Sequence, residues 1–468
     1  MTYQKNRARL RRAGWAGRSK GIAYVLALCL VTALAVMGIA FASVTGLELR
    51  KAQNFHWQQD AQFAAESGLA YMTHQLSVVR LPASTTQATI VSGLSGVLGN
   101  IMNGTVTMGE AVVTNSGSMV YVPPVSLGDD RTFQAWIMPL GDRRCLLVCS
   151  GTAGQSHRTV SVEVELVPAL ARAFDYGVAS RGSIIVSGST NITGVNHPLE
   201  GSIFSDMGSA GSITLSGGGV SVSGNLLVSG GRECVTIVGT PSVGGTKDPA
   251  EIENRICKNV ASPDFPELDL APLVALATNL VDASTNTSGT LNFSNIRIAA
   301  GTNPTFAAGT VINGVIYVEA PNQVMFAGHV TIKGFIVTQD SDEGVNSCTI
   351  DFNGTVDATG VDALPDTPEY AAVKQQTGSF LLAPGFKVSF GGNFETINGS
   401  IAADQIHFSG NSEGVIKGAV IGLSELPATF EGSVEINVDR SEIHQDPAGF
   451  VKSLAPEADY GSYGEPVN

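Results

Sequence analysis

The chain has 468 residues, of which 43% are hydrophobic and 15% are charged, and its formal net charge is −14. The first 20 residues contain seven Lys and Arg and no acid, so the rest of the chain carries 20 basic against 41 acidic side chains, a net charge of −21. A surface this acidic excludes nucleic acid and anionic lipid as expected partners, and its scattered acids favour an ordinary exported surface over a cation-binding face.

Residues 21–43 form one apolar segment directly behind the basic head. These 23 residues include no Asp, Glu, Lys, Arg or His. As a helix the segment would span ~34 Å, enough to cross a hydrocarbon core of about 30 Å. By the positive-inside rule, residues 1–20 are then a cytoplasmic leader, and the bulk of the chain is periplasmic or extracellular. We predict a single-pass anchor in the cell inner membrane, with a cleaved secretory signal as the alternative. The anchor residues are Gly21, Ala33, Gly38 and Ser43.

The helical pattern continues beyond the apolar segment. Apolar and polar residues are mixed there at helical rather than strand spacing, and no Pro occurs between Gly21 and Arg80. A single helix over residues 21–76 would be ~84 Å long, so more than half of it would project from the bilayer. We predict that this amphipathic extension, residues 44–79, packs its apolar side on a globular domain.

Several short sequences mark this helix. They are Lys20-Gly21-Ile22-Ala23 at the start of the apolar segment, Thr45-Gly46-Leu47-Glu48-Leu49-Arg50 just past it, Asn54, and Ala64-Ala65-Glu66-Ser67-Gly68-Leu69. Over about residues 15–80, they resemble the type IV pilin superfamily, and most closely the PilX-type minor pilins. The resemblance implies cleavage between Gly21 and Ile22 by a prepilin peptidase, and assembly with other pilin or pseudopilin subunits through the helix.

Two positions depart from the main pilin pattern. Leu26 stands five residues after Gly21, where major pilins carry a glutamate and PilX-like members often do not. Ile22 replaces the usual phenylalanine. The resemblance therefore implies a subunit that caps, primes or accompanies a filament rather than one that forms its bulk.

Residues 80–172 are predicted to form a small β-rich unit on which the helix packs, an arrangement that matches pilin-like heads. The predicted strands cover residues 105–114, 119–122, 132–138, 144–150 and 159–167. In the last of them, Val160, Val162 and Val164 alternate with polar residues. A Gly-containing connection at residues 151–154 predicts a hairpin between the last two strands.

Residues 173–440 are rich in Gly, Ser, Thr, Asn, Val and Ile and contain two short repeats. Gly-Ser-Ile begins at residues 182, 201, 211 and 399, and Phe-x-Gly begins at Phe326, Phe352, Phe390, Phe408 and Phe430. The Phe-x-Gly spacings are 26, 38, 18 and 22 residues. Values near ~20, with one near twice that, predict one coil per repeat in a right-handed parallel β-solenoid, where Gly permits the corner of each coil. An antiparallel sandwich with Gly-rich turns is the alternative.

Two Pro-containing segments interrupt this Gly-, Ser- and Thr-rich composition. Residues 246–288 are predicted to be an insertion that packs along the solenoid, and residues 357–378 a second insertion with a short helix near 370–376. Residues 441–468 are polar and are predicted to be a flexible tail. The predicted fold is therefore mainly β with one long N-terminal α-helix, a pilin-like helix and small sheet followed by the solenoid.

The sequence assigns no chemistry to this fold. Cys234 and Cys257 flank the first part of the first insertion and are a candidate disulfide in an oxidising periplasm, with buried free thiols as the alternative. No Cys or His cluster predicts a metal site and no catalytic motif occurs, so neither cofactor nor catalytic residue is assigned. The three Trp, at Trp15, Trp57 and Trp136, lie outside the solenoid, which argues against a carbohydrate enzyme.

These features predict a membrane-anchored minor pilin- or pseudopilin-like structural component of a type IV pilus or type II secretion-type assembly. Its solenoid head would be displayed for adhesion to a surface ligand or polysaccharide, or as a spacer, and the chain is not expected to be an enzyme. A membrane-tethered β-helix enzyme acting on surface polysaccharide and an inert cell-envelope scaffold are the two alternatives.

Overall fold

The computed structural model describes residues 19–141, 143–441 and 447–465, and these fall into two compact units. The helix-and-sheet unit is drawn from Met1–Ser77, Thr89–Glu165 and Glu457–Asn468. The solenoid unit is drawn from Val78–Ala88 and Leu166–Pro456. Each unit therefore combines segments that are distant in sequence, where the composition along the chain predicts consecutive domains.

The helix-and-sheet unit begins with α1 (Ser19–Ser77), one helix of 59 residues. The predicted long helix is confirmed, and the predicted leader as far as Arg18 lies outside the described residues. Its buried residues recur at steps of three and four, which places them on one side of the helix. They are Ala61, Ala64, Ala65, Leu69, Met72 and Leu76.

A second helix, α2 (Ile90–Met102), stands where the sequence predicts no element. Five large apolar residues face its buried side: Ile90, Val91, Leu94, Leu98 and Met102. The strand predicted at residues 105–114 is wrong, because residues 103–110 are turns. Gly104 and Gly109 have φ values of 75° and 59° there, and Asn103 Oδ1 accepts a hydrogen bond from the Val113 N–H at 2.8 Å.

The sheet of this unit is antiparallel from its first to its fifth strand. Those strands are β1 (Thr114–Asn115), β2 (Val120–Gly128), β3 (Arg131–Gly141), β4 (Arg144–Ala153) and β5 (Ser156–Ala169). The predicted hairpin is confirmed, with Cys149 of β4 opposite Val160 of β5. Its predicted connection at residues 151–154 is too long, because residues 151–153 continue β4 and pair with β5. Helix α1 packs on β3 and β4.

The sheet is completed by the strand Ser453–Gly464, so the prediction of a flexible tail over residues 441–468 is wrong for this part of it. At the start of this strand, within the solenoid unit, Leu454 is 2% exposed and exchanges both backbone hydrogen bonds with Leu81 in an isolated bridge. Ser462 Oγ accepts a hydrogen bond from the Glu163 N–H at 2.7 Å. A polar composition predicts flexibility only when the backbone has no partner, and here a sheet edge supplies one.

The solenoid unit contains two blocks of strands joined by a long connector. The N-block, residues 178–257, holds β6 (Val178–Ser180), β7 (Ile184–Ser187), β8 (Asn191–Gly194), β9 (Ile203–Ser205), β10 (Ile213–Ser216), β11 (Ser221–Val222), β12 (Leu226–Val228), β13 (Val235–Val238), β14 (Ser242–Val243) and β15 (Ile256–Cys257). Helix α3 (Pro249–Glu253) precedes β15, and its Ile252 is buried in the coil interior.

The C-block, residues 279–439, continues the same architecture. Its strands are β16 (Asn279–Val281), β17 (Asn292–Ile298), β18 (Thr305–Phe306), β19 (Val311–Val318), β20 (Gln323–Phe326), β21 (Val330–Thr338), β22 (Thr349–Phe352), β23 (Val356–Ala358), β24 (Ser379–Phe390), β25 (Phe394–Asn398), β26 (Ser400–Gly410), β27 (Glu413–Lys417), β28 (Val420–Gly422), β29 (Ala428–Gly432) and β30 (Glu435–Asp439). The connector between the blocks, residues 258–278, includes helix α4 (Ala271–Val274).

The described pairings among β6–β30 that join one coil to the next are parallel, and each coil has three sides. We call them sides A, B and C after β6, β7 and β8 of the first coil. On side A, β6 pairs with β9 and β9 with β12, while on side B β7 pairs with β10 and β10 with β13. The predicted parallel solenoid is therefore confirmed over the antiparallel sandwich. Its right-handed sense stays a prediction.

The two blocks do not stack in chain order. The last coil of the C-block, formed by β28, β29 and β30, pairs with the first coil of the N-block, formed by β6, β7 and β8. Strands β15 and β16 therefore lie at opposite ends of one stack, and the connector returns from one end to the other. The predicted insertion at residues 246–288 contains this connector, but β15 and β16 inside it are coil strands.

A ladder of stacked phenylalanine rings fills the interior behind side B. Neighbouring ring centroids are 4.7–5.3 Å apart and the rings are within 14° of parallel, along Phe306, Phe326, Phe352, Phe390, Phe408 and Phe430. Phe352 lies directly opposite Phe390 in the strand register. The 38-residue spacing is therefore one coil enlarged by the second insertion.

The glycine of the Phe-x-Gly repeat lies at a corner with no room for a side chain. A Cβ on Gly354 would lie 2.1 Å from the carbonyl oxygen of Gly328, and one on Gly392 would lie 2.5 Å from that of Gly354. These distances are far below van der Waals contact. The repeat therefore follows from two needs of each coil, an inward ring and a close backbone approach at the turn.

Side A is apolar on both of its faces. Ile336 belongs to the coil interior, while Phe335 and Val337 on the same strand belong to a second core outside it. The second core is closed by three excursions of the chain, namely the connector, the insertion around Tyr370 and residues 448–450. A strand buried on both faces is expected to be a continuous apolar run, as Phe335-Ile336-Val337 is.

Candidate functional site

The candidate site is α1, whose two halves have opposite surroundings. From Ile22 to Leu49 the large apolar side chains are at least 57% exposed in the described chain. This part is long and apolar enough to be a single membrane span, by length and composition. The other half is packed on the sheet through Ala61, Ala64 and Ala65, which are at most 1% exposed.

The Ser and Thr hydroxyl groups of the exposed half are satisfied within the helix itself. Thr32 Oγ1 donates to the Leu28 carbonyl at 3.0 Å, and Ser43 Oγ donates to the Ile39 carbonyl at 2.9 Å. Thr45 Oγ1 donates to the Phe41 carbonyl at 2.8 Å. These hydroxyls therefore need no water, which makes their presence compatible with a hydrocarbon environment.

The predicted anchor and cleavage residues occupy this half. Gly21 and Ile22 lie in the first turn of α1, and the Ile22 side chain is 65% exposed. Ala33, Gly38 and Ser43 follow along the exposed segment. A Cβ on Gly38 would meet no atom within 4 Å, so this glycine serves no packing role within the chain.

The sequence Ala64-Ala65-Glu66-Ser67-Gly68 divides into a packed and an exposed set. Ala64, Ala65 and Gly68 are buried, whereas Glu66 and Ser67 are exposed. A Cβ on Gly68 would lie 2.6 Å from the ring of Phe133, so this glycine seats the helix on β3. Glu66 accepts a hydrogen bond from Gln62 Nε2 at 2.8 Å.

The backbone of α1 approaches the sheet tightly at Gly151, which the sequence pattern placed in the connection between two strands and which the structure places inside β4. A Cβ there would lie 2.2 Å from the carbonyl oxygen of Ala61 and 2.3 Å from the amide nitrogen of Ala65. Nearby, a Cβ on Gly154 would lie 2.7 Å from the Trp57 ring. A glycine inside an otherwise alternating strand is the signal that marks such an approach.

The structure does not join the two cysteines of the candidate disulfide. Cys234 is a buried free thiol, and Cys257 is a half-buried free thiol on β15 beside Leu227. The disulfide prediction is therefore not supported, and the alternative of free thiols agrees with the structure.

Two further thiols lie under α1. Cys145 and Cys149 are buried on β4, and burial raises the pKa of Cys145 to about 11 and that of Cys149 to about 12. Thiols with such pKa values remain protonated at neutral pH and are poor nucleophiles. Within the residues that the structure describes, no group of three or more His, Cys, Asp and Glu side chains is arranged to hold a metal ion.

Comparisons with known proteins give similarities among solved structures. No family model matches the sequence, and no curated protein matches it. Among solved structures, the chain is similar to the competence-associated pilin ComZ from Thermus thermophilus, with 14% identity and a TM-score of 0.22 over 88% of this chain and 98% of that one. A TM-score of 0.22 does not establish a common fold over the whole chain.

Proposed function

We propose that this chain is a minor pilin- or pseudopilin-like structural subunit. Residues 22–43 of α1 would anchor it in the inner membrane, and the same helix would pack with other subunits of a type IV pilus or type II secretion-type assembly. The solenoid unit would then be displayed on the periplasmic or extracellular side. The role proposed is structural rather than catalytic.

One observation carries this proposal, the division of α1 into an exposed apolar half and a packed half. Large apolar side chains such as Leu28, Leu34 and Phe41 are 59–75% exposed. So much apolar surface is unfavourable in water, so we expect lipid or other protein subunits to cover it. The same helix continues without a break into the half that packs on the sheet of its own unit, so the anchored half and the packed half belong to one element. Leu26, at the position where major pilins carry a glutamate, supports an accessory rather than a bulk subunit.

The first test is mass spectrometry of the mature N-terminus in the native host. Cleavage between Gly21 and Ile22 is the expected result, and an intact leader would leave a simple membrane anchor in place of the pilin pathway. Co-purification with pilus or secretion subunits is the companion measurement, since an inert scaffold would not retain them.

The second test is membrane fractionation of the double variant Ala33→Arg with Gly38→Arg. Two charges near the centre of the span each cost about 2.5–3.5 kcal/mol on insertion scales, so the variant is expected to leave the membrane fraction. The matched control carries Gln59→Arg with Ala70→Arg, two exposed positions on the same helix outside the span. Retention of the first variant in the membrane would refute the anchor.

A further inference from the structure

An open groove of about 620 Å³ lies within the solenoid unit, outside side A where the coils turn toward side B. One wall is the connector, through Pro266, Leu268 and Val274. The floor is formed by six successive coils, each of which contributes a residue in or just after its side A strand. In order along the stack these residues are Tyr317, Gln339, Pro384, Asp404, Leu423 and Arg181.

The groove is therefore long and runs parallel to the solenoid axis. Six stacked strands are separated by five inter-strand steps of about 4.8 Å, which gives a length of about 24 Å. Its volume falls within the ~300–1,000 Å³ that is usual for ligand sites. A site of this length and shape suits a linear chain of several units better than a compact small molecule.

The polar groups of the groove are held in place by neighbours. The Arg181 guanidinium lies over the Phe265 ring at 5.2 Å, and the Arg297 guanidinium lies over the Tyr317 ring at 5.5 Å. Asp404 accepts a hydrogen bond from the Gly385 backbone, while burial, with a smaller contribution from Asp340, raises its pKa. Groups fixed in this way lose little freedom when they bind a ligand.

The chemistry of the lining selects among polymers. Glu267, Asp340 and Asp404 supply three carboxylates against the single guanidinium of Arg181, so an anionic polymer is repelled. An extended peptide finds no free strand edge here, because each of the five side A strands from β21 to β6 is paired on both sides. Carboxylate, amide and guanidinium groups beside the apolar Pro384 and Leu423 suit a ligand that has both hydroxyl groups and apolar faces.

We propose that this groove binds a linear glycan without acidic sugars. The carboxylates would accept hydrogen bonds from sugar hydroxyl groups, and the Gln339 amide would both donate and accept them. Pro384 and Leu423 would contact the apolar faces of the sugar rings. This inference rests on the proposed display of the head for its biological setting. The glycan proposal and the proposed function can be refuted independently of each other. Binding to the groove is measured on the isolated chain and does not require cleavage, anchoring or assembly.

The test is isothermal titration calorimetry of the detergent-solubilised full chain with four probes. They are cellohexaose, a chitosan hexamer, a hexagalacturonate and a lysine decapeptide. Binding of the neutral or the amino-sugar hexamer, without binding of the uronate, is the expected result. No binding of either hexamer, or binding of the peptide alone, would overturn the proposal.

Variants locate the binding in the groove. Asp404→Asn is expected to weaken the hexamer about tenfold, because it removes a charged hydrogen-bond acceptor while it keeps the side-chain shape. Asp357→Asn, on β23 outside the groove, is the matched control and is expected to bind as the parent chain does. If Asp404→Asn fails to fold by circular dichroism, Gln339→Ala replaces it. Equal affinity of the folded groove variant and the control would refute the assignment.

Discussion

The seating of α1 on the sheet depends on the absence of a side chain at Gly151, and the substitution Gly151→Ala tests this directly. The new methyl carbon would lie 2.2 Å from the Ala61 carbonyl oxygen and 2.3 Å from the Ala65 amide nitrogen. Both are backbone atoms of a continuous helix, so no side-chain rotation relieves the clash. Relief requires that the whole helix move away from β4.

We expect Gly151→Ala to lower the free energy of unfolding of the helix-and-sheet unit by about 2–3 kcal/mol, the upper part of the range for overpacked cores. With a urea m-value of about 2 kcal/mol/M, the unfolding midpoint would fall by about 1–1.5 M. Gly96→Ala is the matched control, because a Cβ there meets no atom within 4 Å. Gly96 lies inside α2, so the control is expected to stabilise by about 1 kcal/mol.

Tryptophan fluorescence reports this unit selectively. Trp57 lies on α1 against Gly154, and Trp136 lies on β3. Trp15 lies outside the described residues, and the substitution Trp15→Phe in all chains removes its signal. The opposite signs of the two glycine variants make the result clear. Gly151→Ala with a midpoint equal to or above that of the parent would refute the close approach of α1 to β4.

Two further outcomes follow from the cores. Phe390→Ala removes an interior ring whose stacked neighbours in the ladder have ring centroids 4.8 and 4.7 Å away. We expect it to lower the free energy of unfolding by about 3–5 kcal/mol, measured by circular dichroism in urea. The control is Met325→Ala, an outward-facing position on side B, which is expected to cost less than about 0.5 kcal/mol. Equal effects would contradict the ladder. Burial raises the pKa of Cys145 to about 11 and that of Cys149 to about 12, so at pH 8 at most about one thiol in a thousand is ionised. Iodoacetamide is therefore expected to label neither cysteine until urea unfolds the chain or the pH rises toward these values. The half-buried Cys257 is the control and is expected to be labelled in the folded state. Labelling of Cys149 at the same rate as Cys257 would contradict the burial of Cys149.

Periodic features of the sequence predicted the elements that periodicity alone specifies. The helical spacing up to Leu76 predicted the C-terminal end of α1 to within one residue, and the alternation at Val160, Val162 and Val164 predicted β5 and its hairpin. The repeat beginning at Phe326 gave the coils and the direction of their pairing. In each case the period of the sequence pattern matches the period of a single backbone structure, so the pattern alone is sufficient to predict the element.

The missed features depend on partners that no local pattern reveals. Helix α2 contains Gly93, Gly96 and Gly99, which lower helix propensity, and it forms because Leu94 and Leu98 are buried. The strand Ser453–Gly464 forms because a sheet edge is available. The close approach of α1 to Gly151 is likewise a tertiary contact. The helix motif that contains Ala64 and Gly68 could be recognised in the sequence, but it does not indicate which residue of the sheet the helix contacts.

The Phe-x-Gly repeats could not predict the order in which the two blocks stack, because the side chains inside the coils change from one block to the other. At the interior position of side B, Phe430 ends the aromatic ladder and lies opposite Val186, after which Leu215 and Ile237 follow in register. The N-block thus fills with aliphatic side chains the place that rings fill in the C-block, and a search for Phe-x-Gly cannot see it. What continues across the junction is the glycine corner, where a Cβ on Gly188 would lie 2.4 Å from the Gly432 carbonyl oxygen. Backbone shape rather than side-chain identity therefore joins the two blocks, and substitutions at Gly188 should disturb the stack more than substitutions of comparable size at Val186.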